Sequence, residues 1–449
     1  MNLKHPLPIL IIALLLGWAT DQLFYGQVVG ISFPIFVFLW LACLFGLGQL
    51  ETIKPHLANM WLVVPLIFFA LMVFVRANIF LTVVNIAACL GLLAFVSHFY
   101  AAGWVRKLGL IGYPIILVQT GLALLYRAKP LVGSGENLDS VREQTRSRLL
   151  PVFRGFLIAI PVLATFTCFL ASADLVFASY VEAFFDLDFL DNVGELLWRT
   201  FLVLVIGWFL AGGFVYALSR QETDDMDHPA EKAIFQAGRR IPFGFIEGVT
   251  LLSLVNLLFL AFVAIQFTYL FGGLASLEAT DYTYAEYARR GFFELIAVSL
   301  MTLGLILGLY WIMRRNSQSQ EFVFNSLGTL MVALVIIMLI SAFQRLLLYE
   351  AAFGYTELRL YSHVFMIWLA LTLLWFLVTL WSPKFRFGIG ALVAGFGFLI
   401  TLNLINPDAF IARQNLAHFE QNGTFEKQSA LDRYDGARQL DVGYLSSLS

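Results

Sequence analysis

Ionisable side chains recur at the ends of long apolar runs, and their spacing is the part of this sequence that can do chemistry. Glu286, Arg290 and Glu294 fall at i, i+4 and i+8. One helical face can therefore carry a carboxylate–guanidinium–carboxylate ladder into the apolar run that starts near 291. Gln344 and Arg345 close the next run, Tyr349 lies one turn beyond Arg345, and Glu350, Tyr355, Glu357, Arg359 and Tyr361 follow. Asp174 ends the run that finishes Leu170-Ala-Ser-Ala173, and Gln266 and Tyr269, at i and i+3, end another before Leu270-Phe-Gly-Gly273. Charged groups at bilayer depth are expensive unless they pair or face a cavity, so such a set marks either a lock or a site. In a site, the arginines would hold an anionic group through bidentate bonds while the carboxylates orient them.

Other catalytic chemistry is missing from the string. It has no Gly-rich loop ending in Gly-Lys-Ser/Thr, no Gly-x-Gly-x-x-Gly, no Gly-x-Ser-x-Gly and no His-Glu-x-x-His. His5, His56, His98, His228, His363 and His418 are scattered, with no pair at metal-ligand spacing. The acids around Asp224-Asp-Met-Asp-His228, and those from Glu182 to Glu195, read as solvated faces rather than cation sites. Cys43, Cys89 and Cys168 each sit inside an apolar run, where a thiol acts as a small hydrophobe. No cofactor, no metal and no catalytic residue is expected.

The elements that must position these groups are membrane helices. Hydrophobic residues make up 60% of the chain and charged ones 13%, against about a quarter charged in a soluble domain. The net charge of −2 offers no basic face for nucleic acid. Runs near the roughly 20 residues that cross hydrocarbon recur at 7–25, 30–50, 60–76, 79–101, 108–126, 155–176, 196–218, 242–270, 291–313, 324–345, 361–381 and 387–405. The expected fold is therefore all-α, a polytopic transmembrane bundle of about 12 (11–13) membrane helices. The first run follows Lys4 but precedes no small-residue cleavage site, so it reads as a retained span.

Basic residues set the orientation. Segment 127–154 carries Arg127, Lys129, Arg142, Arg146, Arg148 and Arg154, and alternate loops after it carry Arg220, Lys232, Arg239, Arg240, Arg314, Arg315, Lys384 and Arg386. The organisation that follows is 1–126, about five membrane helices; 127–154, a basic cytoplasmic loop; 155–405, about seven membrane helices; and 406–449, a polar extracytoplasmic tail. Counting back through five spans puts the N-terminus outside, whereas Lys4, Lys54 and Arg106-Lys107 favour the opposite phase. Reading 108–126, interrupted by Pro114, as re-entrant or interfacial removes the conflict and leaves eleven crossings. Within the spans, Asn85, His98, Asn256 and Asn403 read as interhelical hydrogen-bond partners, and the Gly244/Gly248 and Gly304/Gly308 spacings as close-packing faces.

Several strings together resemble one family. They are Ala171-Ser-Ala-Asp174, Gln266-Phe-Thr-Tyr-Leu-Phe-Gly-Gly273, Tyr284-Ala-Glu-Tyr-Ala-Arg-Arg-Gly-Phe-Phe-Glu294, Thr356-Glu-Leu-Arg-Leu-Tyr361 and Leu404-Ile-Asn-Pro-Asp-Ala409. Gly17…Asp21-Gln-Leu-Phe-Tyr-Gly26 looks like the family's opening. The chain resembles, over essentially its whole length, the multi-pass membrane proteins of bacteria grouped as domain of unknown function 4153/4173. The resemblance implies an integral membrane protein and brings no activity, substrate, cofactor or catalytic residue with it.

Taken with the orientation, Asp174, Gln266, Tyr269, Glu286, Arg290, Glu294, Gln344, Arg345, Tyr349, Glu350, Glu357 and Arg359 all fall at the outer side of a bacterial inner membrane. Two readings compete. Either these groups pair between helix ends and lock the bundle, or they surround a pocket for a membrane lipid, a small solute or a partner membrane protein. The expectation is a non-enzymatic protein. A secondary transporter and an enzyme acting on a lipid-linked substrate, with Asp174 or Glu294 as general base, are the alternatives.

Overall fold

A computed structural model of the chain describes residues 4–129, 131, 188–219, 243–271, 292–382 and 386–422. All regular structure among the described residues is helical, as the bilayer demands: without water, backbone N–H and C=O groups must be satisfied within the segment. In chain order the helices are α1 (Pro6–Phe24), α2 (Ser32–Leu50), α3 (Val63–Val75, preceded by a 3-10 turn at Leu57–Leu62), α4 (Ile79–His98), α5 (Gly112–Tyr126) and α6 (Asp188–Leu218). They continue as α7 (Phe245–Phe271), α8 (Phe292–Ile312), α9 (Gln318–Phe353), α10 (Glu357–Trp381), α11 (Phe387–Ile405) and α12 (Pro407–Asn422). Among the described residues 10 helical stretches are long and apolar enough to cross a membrane. The expected run at 155–176 lies outside the described residues. The run at 108–126 yields only the 15-residue α5, too short to join the ten. Residues 407–422 of the expected tail are helical, as α12.

The chain divides into two compact units. The first comprises residues 1–60, 94–102 and 118–222. Here α1 packs along α6, because Gly17 lets the backbones approach: a Cβ there would lie 2.8 Å from the Val203 carbonyl. Helix α2 packs on both, with Trp40 stacked on Phe214 at 5.9 Å. The buried Glu51 carboxylate, at the end of α2, accepts from the backbone N–H groups of Lys4 (2.8 Å) and His5 (2.7 Å) at the start of α1. That supplies acceptors for donors a helix start leaves unsatisfied. At the far end of α1, Arg199 Nη2 of α6 donates to Asp21 Oδ2 at 2.6 Å, with the guanidinium 4.9 Å from the Tyr25 ring. His98 Nδ1 and the Tyr216 hydroxyl share a hydrogen bond of 2.5 Å.

The second unit comprises residues 61–93, 103–117 and 223–449. Its centre is α9, whose Phe324, Met331, Val335 and Met338 are buried against Leu252 and Val263 of α7, Ile306 of α8, and Leu369 and Leu373 of α10. A smaller cluster joins Leu81 of α4, Val364 of α10 and Leu402 of α11. Asn256 donates to the Leu327 carbonyl (3.1 Å), tying α7 to α9 as an interhelical partner should. The outer surfaces stay apolar: Leu254, Leu257 and Leu258 of α7 are exposed, the pattern of a face turned to lipid. Gly248 is a close-packing position, its Cα facing Met313. A Cβ at Gly304 or Gly308 meets nothing within 4 Å among the described residues. Spacing alone cannot say which side of a helix faces a neighbour.

Candidate functional site: a polar junction of helix ends

Six helix ends meet on one side of the second unit: the ends of α3, α9 and α11 and the starts of α4, α10 and α12. Asn78 is the hinge pin. Its Oδ1 accepts from the backbone N–H of Leu81 (3.1 Å), capping α4 in the manner favoured for Asn before a first turn. Its Nδ2 donates to Glu357 Oε1 and to Asp408 Oδ1, both at 3.2 Å. Glu357 and Asp408 stand in the first turns of α10 and α12, where helix macrodipoles favour negative charge, and one neutral amide holds both carboxylates.

Around this pin the junction is tied by backbone acceptors and amides. Arg76, just past α3, donates through Nη2 to the Asn403 carbonyl. The Asn403 side chain exchanges hydrogen bonds with Asn85 at 2.8 and 2.9 Å, and both residues are fully buried. These two are the interhelical pair their position in apolar runs implies. Arg359 donates through Nη1 to the Gly354 carbonyl in the α9–α10 turn. Gly354 has φ +74°, the left-handed region that glycine enters freely, and a Cβ there would lie 2.9 Å from Asn415 Oδ1. That close approach lets Asn415 of α12 grip the turn: its Oδ1 accepts from the Tyr355 N–H (2.7 Å) and its Nδ2 donates to the Tyr355 carbonyl (2.9 Å). The Tyr355 ring stands edge-on to Phe410. Burial, and then the Glu350 carboxylate, push the Tyr355 phenol above its usual range.

Deeper in the seam between α9 and α10, Glu350 Oε1 lies 3.1 Å from His363 Nδ1, with 2% of Glu350 and 8% of His363 exposed. The two side chains share a hydrogen bond across the seam. Glu350 Oε2 and His363 Nε2 are buried without a hydrogen-bond partner. The Phe343 ring packs edge-on against the imidazole at 4.5 Å.

Beside the junction an open groove of about 490 Å³ runs between α4, α10 and α11. Phe80, Leu358, Tyr361, Phe365 and Phe398 line it, with Glu357 at its polar end. Phe80 stacks on Tyr361 at 5.1 Å, and Phe365 meets Phe398 edge-on at 5.8 Å, so aromatic pairs wall it.

Of the residues singled out from the sequence, Glu350, Glu357 and Arg359 are brought together here. Arg345 is half-buried on α9, Gln344 is exposed on it, and Glu294 is exposed in the first turn of α8. Gln266 is 7% exposed on α7, and neither atom of its amide has a partner. Tyr269 and Tyr349 fall in the last turns of α7 and α9. Asp174, Glu286 and Arg290 lie outside the described residues. Sequence reasoning missed Arg76, Asn78, His363, Asp408 and Asn415. An Arg-Ala-Asn break between two apolar runs was a usable sign, since Asn before a run is a cap. Asn406-Pro-Asp408 was another, Pro and Asp being favoured in a first turn.

Among known families, the model described as a domain of unknown function (DUF4153) matches residues 62–449. Comparison with curated proteins and with solved structures returns no match.

Proposed function

The chain belongs to the DUF4153 family, and from that premise we propose that it is a non-enzymatic, multi-pass protein of the bacterial plasma membrane whose outer polar junction holds open a lipid-binding groove. The two readings of the polar residues then describe neighbouring parts: the junction is the lock, and the groove it borders is the site. The observation that carries this is the shared position of Glu357. It lines the groove and is also held by Asn78, so the polar end of an apolar groove is fixed by helix capping. A side chain held this way loses little freedom when a ligand arrives. A transporter would carry its charged groups at mid-span, whereas the ionisable groups described in this unit lie at or near helix ends.

In this reading twelve membrane helices give eleven crossings: the ten apolar helices and one over 155–176, with α5 lying at the inner face. At about 1.5 Å per residue α5 spans roughly 22 Å, less than the roughly 30 Å of hydrocarbon. The N-terminus is then cytoplasmic, and the bonds of Glu51 to Lys4 and His5 join two helix ends on that side. The polar junction and α12 lie outside. The test is lipid retention by the full chain, purified from bacterial membranes through extensive detergent exchange. Wild-type protein keeps a stoichiometric phospholipid, and Leu358→Trp, which fills the groove from an exposed position, loses it. Equal retention by both proteins would contradict the assignment.

A further inference from the structure

We infer that the start of α11 and the turn ahead of α5 form a docking surface for an acidic phospholipid, with Arg106, Lys107 and Arg386 receiving its phosphate. This surface lies at the opposite end of α11 from the polar junction and does not depend on the groove there. A pinned turn is its foundation. Residues Val105–Lys107 form a single 3-10 turn, closed by the Lys107 N–H on the Trp104 carbonyl (3.0 Å). The Tyr113 hydroxyl, in the first turn of α5, donates to the Val105 carbonyl (3.1 Å). Helix α11 starts hard against the same stretch: Gly388 is buried, and a Cβ there would lie 3.0 Å from the backbone of Gly109 and of Leu110. Arg386, the residue before α11, donates through Nη1 to the Lys107 carbonyl, fastening together two segments 279 residues apart.

That fastening gathers three cations. Arg386 spends Nη1 on a carbonyl, Lys107 holds its ammonium 5.5 Å from the Trp104 ring centre, and Arg106 stands exposed in the same turn. Among the described residues no carboxylate pairs with any of the three, and neither α5 nor α11 carries an acid in its first turn. Like charges held on a fixed backbone repel one another, and an anion relieves that cost. A phosphodiester suits them: guanidinium groups offer it paired N–H donors, and the ammonium adds a point charge. Trp104 and Leu110 decide between a lipid and a free phosphate, since both are exposed beside the cations. Exposed apolar side chains next to basic ones fit the membrane interface, where acyl chains lie beneath the phosphates, and give a soluble anion nothing. In the orientation proposed above this is the cytoplasmic face, where acidic lipids attract basic segments.

The experiment is a titration of the full chain in detergent with phosphatidylglycerol or phosphatidylcholine of identical acyl chains, read by native mass spectrometry. Wild-type protein binds phosphatidylglycerol on the order of tenfold more tightly, because each basic residue near an acidic headgroup contributes several-fold. Arg106→Gln combined with Lys107→Gln removes most of that preference. Both side chains are exposed and the Lys107 carbonyl still accepts from Arg386, so the turn stays folded. Lys54→Gln, which deletes an exposed cation of the first unit, leaves the preference intact. Leu358→Trp leaves it intact as well, since the outer groove is a separate site. Equal binding of the two lipids by wild-type protein, or a preference unchanged in the double variant, overturns the proposal. A loss as large in Lys54→Gln overturns it too, by making net charge the cause rather than this turn. Displacement of phosphatidylglycerol by inorganic phosphate at constant ionic strength overturns the lipid assignment in favour of a free anion. Loss of the preference in Leu358→Trp overturns this surface and moves the acidic lipid to the outer groove.

Discussion

The two units solve the same problem, polar groups among membrane helices, by different means. The first joins α1 to α6 through Arg199 and Asp21, a guanidinium on a carboxylate. The second joins six helix ends through amides and backbone carbonyls, with Asn78, Asn403 and Asn415 each serving two partners or more. A charge pair concentrates its cost, here on the Asp21 carboxylate, which is buried while Arg199 stays one-third exposed. The amide junction places neutral groups between its charged ones, each bond contributing little, and fixes geometry instead. The second arrangement suits a unit that must hold a groove at constant width; the first suits one that only needs two helices joined.

That contrast predicts an order of effects. The largest falls on the charge pair. Arg199→Ala leaves the buried Asp21 carboxylate without its guanidinium partner and lowers stability more than either substitution below. Thermal unfolding in detergent would register it, and Asp21→Asn in the same chain should restore most of the loss. If the single variant unfolds like wild type, the pair is a surface ornament and the contrast disappears.

Next comes the pin of the junction. Asn78→Ala removes a helix cap and the bridge between two carboxylates, a loss of about 2 kcal/mol, and should also reduce lipid retention. Asn85→Ala, inside the same unit, strips one member of the buried amide pair and costs about 1 kcal/mol, near the average for polar contacts between membrane helices. Lipid retention should survive it, since Asn85 does not line the groove. A large loss of retention with Asn85→Ala would mean that the network and the groove are one object.

Much of this architecture could be read in advance. Long apolar runs mark membrane helices because nothing else satisfies a backbone in lipid, and ten of the twelve runs are helices of crossing length. The run at 108–126 carried its own warning in Pro114 and its basic flanks, and it is the short one. The site was legible only along the chain. Glu350, Glu357 and Arg359 cluster because one turn joins α9 to α10, so proximity in sequence became proximity in space. Asn78 and Asp408 are 330 residues apart, and no local pattern announces that pairing. His363 was equally hidden, because its partner Glu350 lies 13 residues away across a turn. Gly304 and Gly308 show the opposite case, a small-residue spacing that meets nothing within 4 Å among the described residues.

The smallest predicted effect concerns pH. The Tyr355 phenol is pushed up in the folded chain, so between its ordinary range near pH 10 and its raised value the folded state holds a proton the unfolded chain releases. Stability is then unaffected below that window and declines as pH rises through it. Tyr355→Phe should remove this alkaline slope, and a difference titration of tyrosinate absorbance would show the missing phenol ionising late. A phenol ionising at its ordinary pH would show that α12 does not cover the turn.

The most direct test of the central claim is a high-resolution map of the full chain in native-lipid nanodiscs, read at Asn78, Glu357 and the groove between α10 and α11. The account predicts an elongated density along Phe365 and Phe398 whose polar end touches Glu357, with Asn78 still bridging Glu357 and Asp408. A groove filled by its own side chains, with Asn78 turned away from the carboxylates, would contradict it.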